Sequence, residues 1–217
     1  CNKMVIVTGS ANQPRTYKNP FTSEERAVMI RYATMGLSIR ITVEANPDTI
    51  YNDQAWAVRV QGIVSKYRIL GTKTAIIGHK KDESSFYLDM FPQWQFVDVE
   101  SIEPLGATDI RDLYFKRDVN MNFIKSVVPQ TTFDFLQRFK ETPEYEQVIR
   151  EREFVENYKK QYASLPYPPI FSTADAIVIQ SGHVLMIRRR AEPGKGLWAL
   201  PGGYVNANTD KSVEAAM

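Results

Sequence analysis

Short apolar runs alternate with amphipathic stretches along most of this chain. Met4 to Thr8 is an apolar run that stops at Gly9-Ser10, which reads as a strand entering a turn. Asn12 to Asn19 is polar and basic and reads as a loop. Thr22-Ser-Glu-Glu-Arg26 puts hydroxyls and acids where a helix begins, and Ala27, Met29, Ile30 and Ala33 carry it on. Ile39 to Val43 alternates as a strand, and Gln54 to Lys66 has helical spacing. Thr74 to Ile77 is a further strand closed by Gly78-His79, Phe96 to Val99 another, and Ala107 to Phe115 opens another helix. Strands alternating with helices predict βαβ units on a parallel sheet. Ligands of such sheets sit at the carboxyl ends of the strands. The loops after Gly9, Gly78 and Leu105 are therefore where chemistry is expected.

Beyond these units the pattern changes. Phe133 to Tyr162 reads as one long charged helix. Ser164-Leu-Pro-Tyr-Pro-Pro169 then makes a stiff connector, which places a boundary between residues 1–163 and 164–217. Ala174 to Gln180 and His183 to Arg188 read as two strands of a hairpin around Ser181-Gly182. Asp210 to Met217 reads as a helix start. The chain opens on Cys1 rather than Met and ends inside that helix, so it reads as a fragment.

Composition narrows the function classes. Of 217 residues, 43% are hydrophobic and 24% charged, an ordinary globular mix. Lys plus Arg is 27 and Asp plus Glu is 25, a net charge of +2, so a nucleic-acid binder held by a basic stripe is not expected. Compact anionic substrates need only local cations. The single cysteine leaves no disulfide framework or Cys-rich metal site. No apolar run is long enough for a membrane helix, and no signal-peptide pattern is present, which makes the cytoplasm the expected location.

Two sets of strings carry the chemistry. In the first, Leu105-Gly-Ala-Thr-Asp-Ile-Arg111 has Thr108 and backbone amides cap a helix N-terminus, a ready anion site, and Arg111 follows with a planar fork for phosphate oxygens. An ordinary capped helix with a surface arginine is the alternative. The string resembles the Ile-Ser-x-Thr-x-Ile-Arg motif of nucleotidylyltransferases of the nicotinamide-mononucleotide adenylyltransferase family, with Gly106 at the place of the serine. Asn19-Pro-Phe-Thr-Ser-Glu-Glu-Arg26 resembles the family's Asn-Pro-Phe stretch leading into a helix with Glu-Arg. Tyr51-Asn-Asp-Gln-Ala-Trp56 resembles the segment whose indole stacks on nicotinamide, with a core aromatic as the alternative for Trp56. Gly78-His79-Lys80-Lys81-Asp82 follows a strand and is a candidate for phosphate or ribose, with an ordinary loop histidine as the alternative for His79. The family's His-x-Gly-His string is not in this sequence.

In the second set, Gly196-Leu-Trp-Ala-Leu-Pro-Gly-Gly203 follows the hairpin and Arg188-Arg189-Arg190. It resembles the approach to a Nudix box, in which helix carboxylates share hard divalent cations. Counted from Gly203, the first glutamate position of that pattern is Thr209, or Asp210 with one extra loop residue. The string Arg-Glu-x-x-Glu-Glu is not in this sequence.

The resemblance implies an α/β architecture: a Rossmann-like nucleotidyltransferase domain with a parallel sheet, then an incomplete α+β Nudix domain. It implies a bifunctional enzyme of NAD metabolism. The first domain would join ATP and nicotinamide mononucleotide into NAD, and the second would cleave ADP-ribose to AMP and ribose 5-phosphate. Mg²⁺ or Mn²⁺ would serve both. Gly106, Thr108, Arg111, Gly78 and His79 would hold ATP phosphate. Trp56, Asn19 and Arg26 would hold the mononucleotide. Arg188, Trp198, Gly202 and Gly203 would face ADP-ribose, and Asp210 would meet metal. Nucleic acid and membrane are not expected partners, and homo-oligomerisation is left open. Another nucleotidyltransferase, such as a pantetheine-phosphate or cytidylyl type, and a nucleotide-sensing regulator with a non-catalytic Nudix domain are the alternatives.

Overall fold

The computed structural model describes residues 3–80, 83–100, 106–206 and 208–216. Cys1, Lys81, Asp82, Leu105 and Met217, which the sequence reading used, lie outside them. The chain divides into two compact units. One holds the residues up to Arg15 together with Phe21–Thr142. The other holds Thr16–Pro20 together with Pro143–Met217. Among the described residues no helix is long and apolar enough to cross a membrane.

The first unit is built from βαβ pieces, as the alternation implies. Strand β1 (Lys3–Ala11) pairs in parallel with β2 (Arg40–Pro47), from Lys3↔Arg40 to Thr8↔Ala45. The register slips before Ala11↔Pro47, and there Ser10 and Asn12 take φ of 50° and 65°. Helix α1 (Ser23–Ala33) connects the two strands. Its start is a capping box: the Glu25 N–H donates to the Thr22 hydroxyl at 3.2 Å, and the Glu25 carboxylate accepts the Thr22 N–H at 2.8 Å. The same carboxylate takes both Arg15 terminal nitrogens, at 2.8 and 2.9 Å. Helix α2 (Asp53–Ser65) starts at Asn52, whose side chain accepts the Ala55 N–H at 2.9 Å. Strands β3 (Ala75–Gly78) and β4 (Gln95–Asp98) form a second parallel pair. Ala57, Val60 and Phe91 form a core on which Val7 of β1 and Ile76 of β3 both pack.

Three helices complete this unit: α3 (Ala107–Tyr114), α4 (Met121–Val127) and α5 (Gln130–Phe139). The Phe21 ring sits 5.1–6.5 Å from Tyr114, Phe115, Phe135 and Phe139. The buried Tyr114 hydroxyl donates to the Leu136 carbonyl at 2.7 Å, which keeps its polar end satisfied.

The single helix expected over 133–162 is two. Helix α5 stops at Phe139, and α6 (Pro143–Lys160) starts on Pro143, whose missing N–H is tolerated at a first helical position and not in an interior. The compact units part at this break, upstream of the proline connector. The hairpin appears around Ser181 and Gly182, both at positive φ, with Ile179↔Val184 and Gln180↔His183 paired. Its strands are interrupted rather than continuous: β5 (Thr173–Asp175), β6 (Ile179–Gln180), β7 (His183–Val184) and β8 (Ile187–Arg188). Strand β9 (Trp198–Ala199) pairs with β8, and β10 (Gly202–Tyr204) with β5. At Gly202 a Cβ would stand 2.2 Å from the Ala174 carbonyl oxygen, so no side chain fits there without parting β5 from β10. Tyr204 stacks on Tyr158 of α6 at 5.9 Å, and Phe171 lies 5.5 Å from both rings. The helix expected over 210–217 is a turn at Asp210 followed by a 3₁₀ turn, Glu214–Ala216.

Candidate functional site

The first unit contains a cavity of about 340 Å³ at the carboxyl ends of β1 and β2. Gly9 lies two residues before the end of β1, Asp48 and Thr49 follow β2, and Asp53 and Trp56 lie on the first turns of α2. Phe86, Tyr87 and Met90, from the 3₁₀ segment Glu83–Met90, form a further wall. This is where an open parallel sheet holds ligands. The Gly9 position has open space around a would-be Cβ, and the Ser10 N–H donates to Asp48 Oδ1 at 3.0 Å, joining the two strand ends.

Trp56 is part of the core and of the cavity wall. It packs on the core at Phe91, 6.1 Å away and tilted, and meets Tyr87 edge-on at 6.2 Å, while it lines the cavity. Phe91 is itself stacked on Trp94 at 4.6 Å, so the indole rests against a fixed aromatic layer. The two charged lining residues, Asp48 and Asp53, are both acids. The sequence reading did not single out either acid. Their signal is position: one stands directly after a strand end, the other at the first residue of a helix. Asn46, the penultimate residue of β2, is wholly buried. Among the described residues neither polar atom of its amide has a hydrogen-bond partner, and nor has the Thr49 hydroxyl.

The expected phosphate residues are at α3. Gly106, not Thr108, is its N-cap, because the Gly106 backbone is extended and the helix begins one residue later. The Gly106 N–H donates to Asp109 Oδ2 at 2.8 Å, so it already holds a carboxylate where the sequence suggested phosphate. Thr108 is exposed, and its hydroxyl accepts from Arg111 Nη2 at 3.0 Å. The two residues are thus brought together one turn apart. Gly78 ends β3 opposite Asp98, and a Cβ there would stand 2.7 Å from Leu88 Cδ2. His79 Nδ1 is 3.6 Å from Asp98 Oδ1, and both side chains are largely exposed.

Arg26 does not line the cavity; its Nε bonds back to the Thr22 carbonyl at 3.4 Å. Asn19 belongs to the turn Thr16–Asn19, closed by Thr16 N–H to Asn19 O at 3.2 Å and Asn19 N–H to Thr16 Oγ1 at 3.1 Å, and it is grouped with the second unit.

In the second unit Arg188 pairs with Trp198, and its Nε donates to the Gly196 carbonyl at 3.0 Å. Trp198 is 67% exposed, an unusual state for an indole. Gly202 and Gly203 pair with Asp175 and Ala174. Asp210 closes a turn: Oδ2 accepts the Asn206 N–H at 2.7 Å and Oδ1 the Thr209 hydroxyl at 2.9 Å. Among the described residues no three His, Cys, Asp or Glu side chains are grouped to hold a metal. Asp210, the residue expected to meet metal, has both oxygens engaged in its turn.

Glu151, a residue unmarked in the sequence, is 4% exposed on α6. Its carboxylate accepts the Tyr17 N–H at 2.9 Å and a backbone bond from Gly194. Burial holds its pKa above the ordinary carboxylate value; the nearby Glu192 adds to this, while the two N–H donors and Arg189 oppose it.

No protein-family model matches the sequence. The nicotinamide/nicotinic acid mononucleotide adenylyltransferase of Acinetobacter baylyi is 36% identical over 148 residues, 67% of this chain and 76% of that protein. The nicotinamide-nucleotide adenylyltransferase of Thermococcus onnurineus is 28% identical over 141 residues, 64% of this chain and 70% of that one. A bifunctional NMN adenylyltransferase/ADP ribose pyrophosphatase from Francisella tularensis, solved with AMP and an Mn ion, matches all of this chain with a TM-score of 0.87 at 32% identity. A second structure of that bifunctional protein matches 99% of the chain with a TM-score of 0.89. The chain spans 63% of the length of these two structures.

Proposed function

Because the chain belongs to the nicotinamide mononucleotide adenylyltransferase family, we propose that its first unit transfers the adenylyl group of ATP to nicotinamide mononucleotide, yielding NAD and pyrophosphate. The observation that carries this reading is the cavity at the β1 and β2 strand ends, with an indole wall and two acids. A nicotinamide ring attached to ribose is a pyridinium cation. An aromatic face attracts such a cation, and Asp48 and Asp53 supply complementary charge.

The chemistry asks little covalent work of the protein. A phosphate oxygen of the mononucleotide attacks the α-phosphorus of ATP, a P–O–P bond forms, and the bond to the β-phosphate breaks to release pyrophosphate. Positioning and charge neutralisation dominate such a step. ATP enters as its Mg²⁺ complex, so that metal is part of the substrate. Arg111, steadied on Thr108, is assigned to the triphosphate, and the Gly78-His79 strand end to the nucleotide side.

Replacing Trp56 with Ala tests the assignment. The KM for the mononucleotide should rise roughly tenfold, since stacking on a base is worth about 1–3 kcal/mol. Core packing is also lost, so a Trp56→Phe variant, which keeps an aromatic face and most of the volume, should recover most of the affinity. An unchanged KM in Trp56→Ala sinks the nicotinamide reading and favours another nucleotidyltransferase.

The same acids predict which acceptor is preferred. Nicotinic acid mononucleotide places a carboxylate where nicotinamide mononucleotide has a neutral amide, and Asp48 and Asp53 would repel it. The amide form should show the higher kcat/KM, and Asp48→Asn should narrow the gap. Steady-state rates with both acceptors decide this; equal kcat/KM values would remove the acids from the specificity argument.

For the second unit we infer binding and cleavage of ADP-ribose. The match of the whole chain to the bifunctional Francisella protein favours it, together with the exposed Trp198 beside Arg188. The described donor set does not form a metal site, so no hydrolytic step is assigned to these residues. Release of AMP from ADP-ribose with Mg²⁺ supports the hydrolase reading, and binding without turnover supports a nucleotide-sensing regulator.

A further inference from the structure

The segment between β2 and α2 leaves the cavity wall at Thr49 and rejoins it at Asp53. Ile50, Tyr51 and Asn52 span the gap between these two wall residues. Tyr51 has φ of 54°, the left-handed region that glycine enters freely and an aromatic residue does not. Its ring is wholly exposed, and Ile50 is 78% exposed. A large aromatic side chain left in water on strained backbone gains nothing for folding in this position. At the root of the same segment the buried Thr49 hydroxyl has no partner among the described residues. Strain, exposure and an orphaned hydroxyl thus coincide within three residues beside a ligand-sized cavity.

We propose that Ile50 and Tyr51, held between Thr49 and the Asn52 cap of α2, form a lid and that Tyr51 closes over the bound mononucleotide, covering the face of the nicotinamide ring turned away from Trp56. Closure returns Tyr51 to negative φ, moves its ring from water onto the ligand, and gives the Thr49 hydroxyl a new position from which to bond. Strain stored in the open form lowers the cost of closing. This rests on the adenylyltransferase reading of the same cavity.

The test uses the full chain with Tyr51→Gly, Tyr51→Asn and Tyr51→Phe. Glycine and asparagine both accept left-handed backbone and lack the ring, and asparagine controls for the added freedom of glycine. Both should raise the KM for the mononucleotide roughly tenfold, the effect of losing one stacked face, and leave the KM for ATP unchanged. Neither should melt below the parent protein, because both relieve strain. Tyr51→Phe should keep the parent KM. A purely structural role for Tyr51 predicts no such split between affinity and stability. If Tyr51→Gly and Tyr51→Asn keep the parent KM, or if the KM for ATP rises in step, the lid is overturned while the function stands. If the parent chain binds no mononucleotide, the function and the lid fall together.

Discussion

Arg111→Ala is expected to lower kcat/KM for adenylyl transfer by roughly 10²–10³-fold, the usual loss when one preorganised donor to a developing charge is removed. Helix α3 carries Thr108 in its first turn and Arg111 in its last, and the guanidinium reaches back to the Thr108 hydroxyl at 3.0 Å. That bond fixes one edge of a planar fork and leaves its direction set before substrate arrives. A lysine can replace the charge but not the fork, so Arg111→Lys should recover only part of the rate. Thr108→Ala should cost less than Arg111→Ala, since it removes the bracket and not the cation. Steady-state kinetics with ATP varied, on variants whose melting matches the parent, check the order. If Arg111→Ala turns over like the parent, the triphosphate does not sit at α3.

Glu151→Ala should destabilise the second unit by about 2–4 kcal/mol, because the backbone N–H groups of Tyr17 and Gly194 lose their acceptor and each unsatisfied buried group costs about 1–3 kcal/mol. Glu151→Gln keeps the volume and one acceptor oxygen but turns an amide donor toward one of the two N–H groups, so a smaller loss is expected. The charge also gives a pH signature. Burial raises the pKa of Glu151 in the folded state. For an acid with a raised folded pKa, the folded state holds more protons than the unfolded state between the two values. Its stabilising contribution is complete below the unfolded value of 4.5 and declines as pH rises through the higher folded value. The parent should therefore gain stability over Glu151→Gln as pH falls toward that range. Thermal or denaturant unfolding of both proteins across pH measures it. A difference that does not change with pH would place Glu151 in water.

The sequence carried the first unit's layout well because its signals are local. The apolar run closed by Gly78 marks a strand end, that before Gly9 stops short of one because β1 runs on to Ala11, and Thr22 with Glu25 writes a capping box in four residues. Trp56, which lines the cavity, stood out in the sequence through the likeness of the Tyr51–Trp56 string to a nicotinamide-stacking segment. Asp48, Asp53, Phe86 and Tyr87 were not, because they meet at the cavity from three separate segments and none has a distinctive local pattern. The helix break at Pro143 was written in the sequence but masked by charged helix formers on both sides. Thr108 was misplaced as a cap because a glycine N-cap leaves no side-chain signature, and a hydroxyl two residues on looks like one. Glu151 could not be found at all. A glutamate on a charged helix is ordinarily solvated, and only the arrival of two backbone donors from distant segments makes this one buried.

The turn at Thr16–Pro20 has a consequence for how the protein can be taken apart. Tyr17 and its acceptor are separated by 134 residues along the chain. During synthesis the turn emerges early and Glu151 much later, so the residues around it can settle before their holding bond exists. Closing so long a loop is slow compared with forming the local pieces. A truncated protein ending at Thr142, made to study adenylyl transfer alone, would keep Asn19 and lose the carboxylate that anchors its turn. Its stability would then be that of a chain whose Thr16–Asn19 turn has lost its anchor.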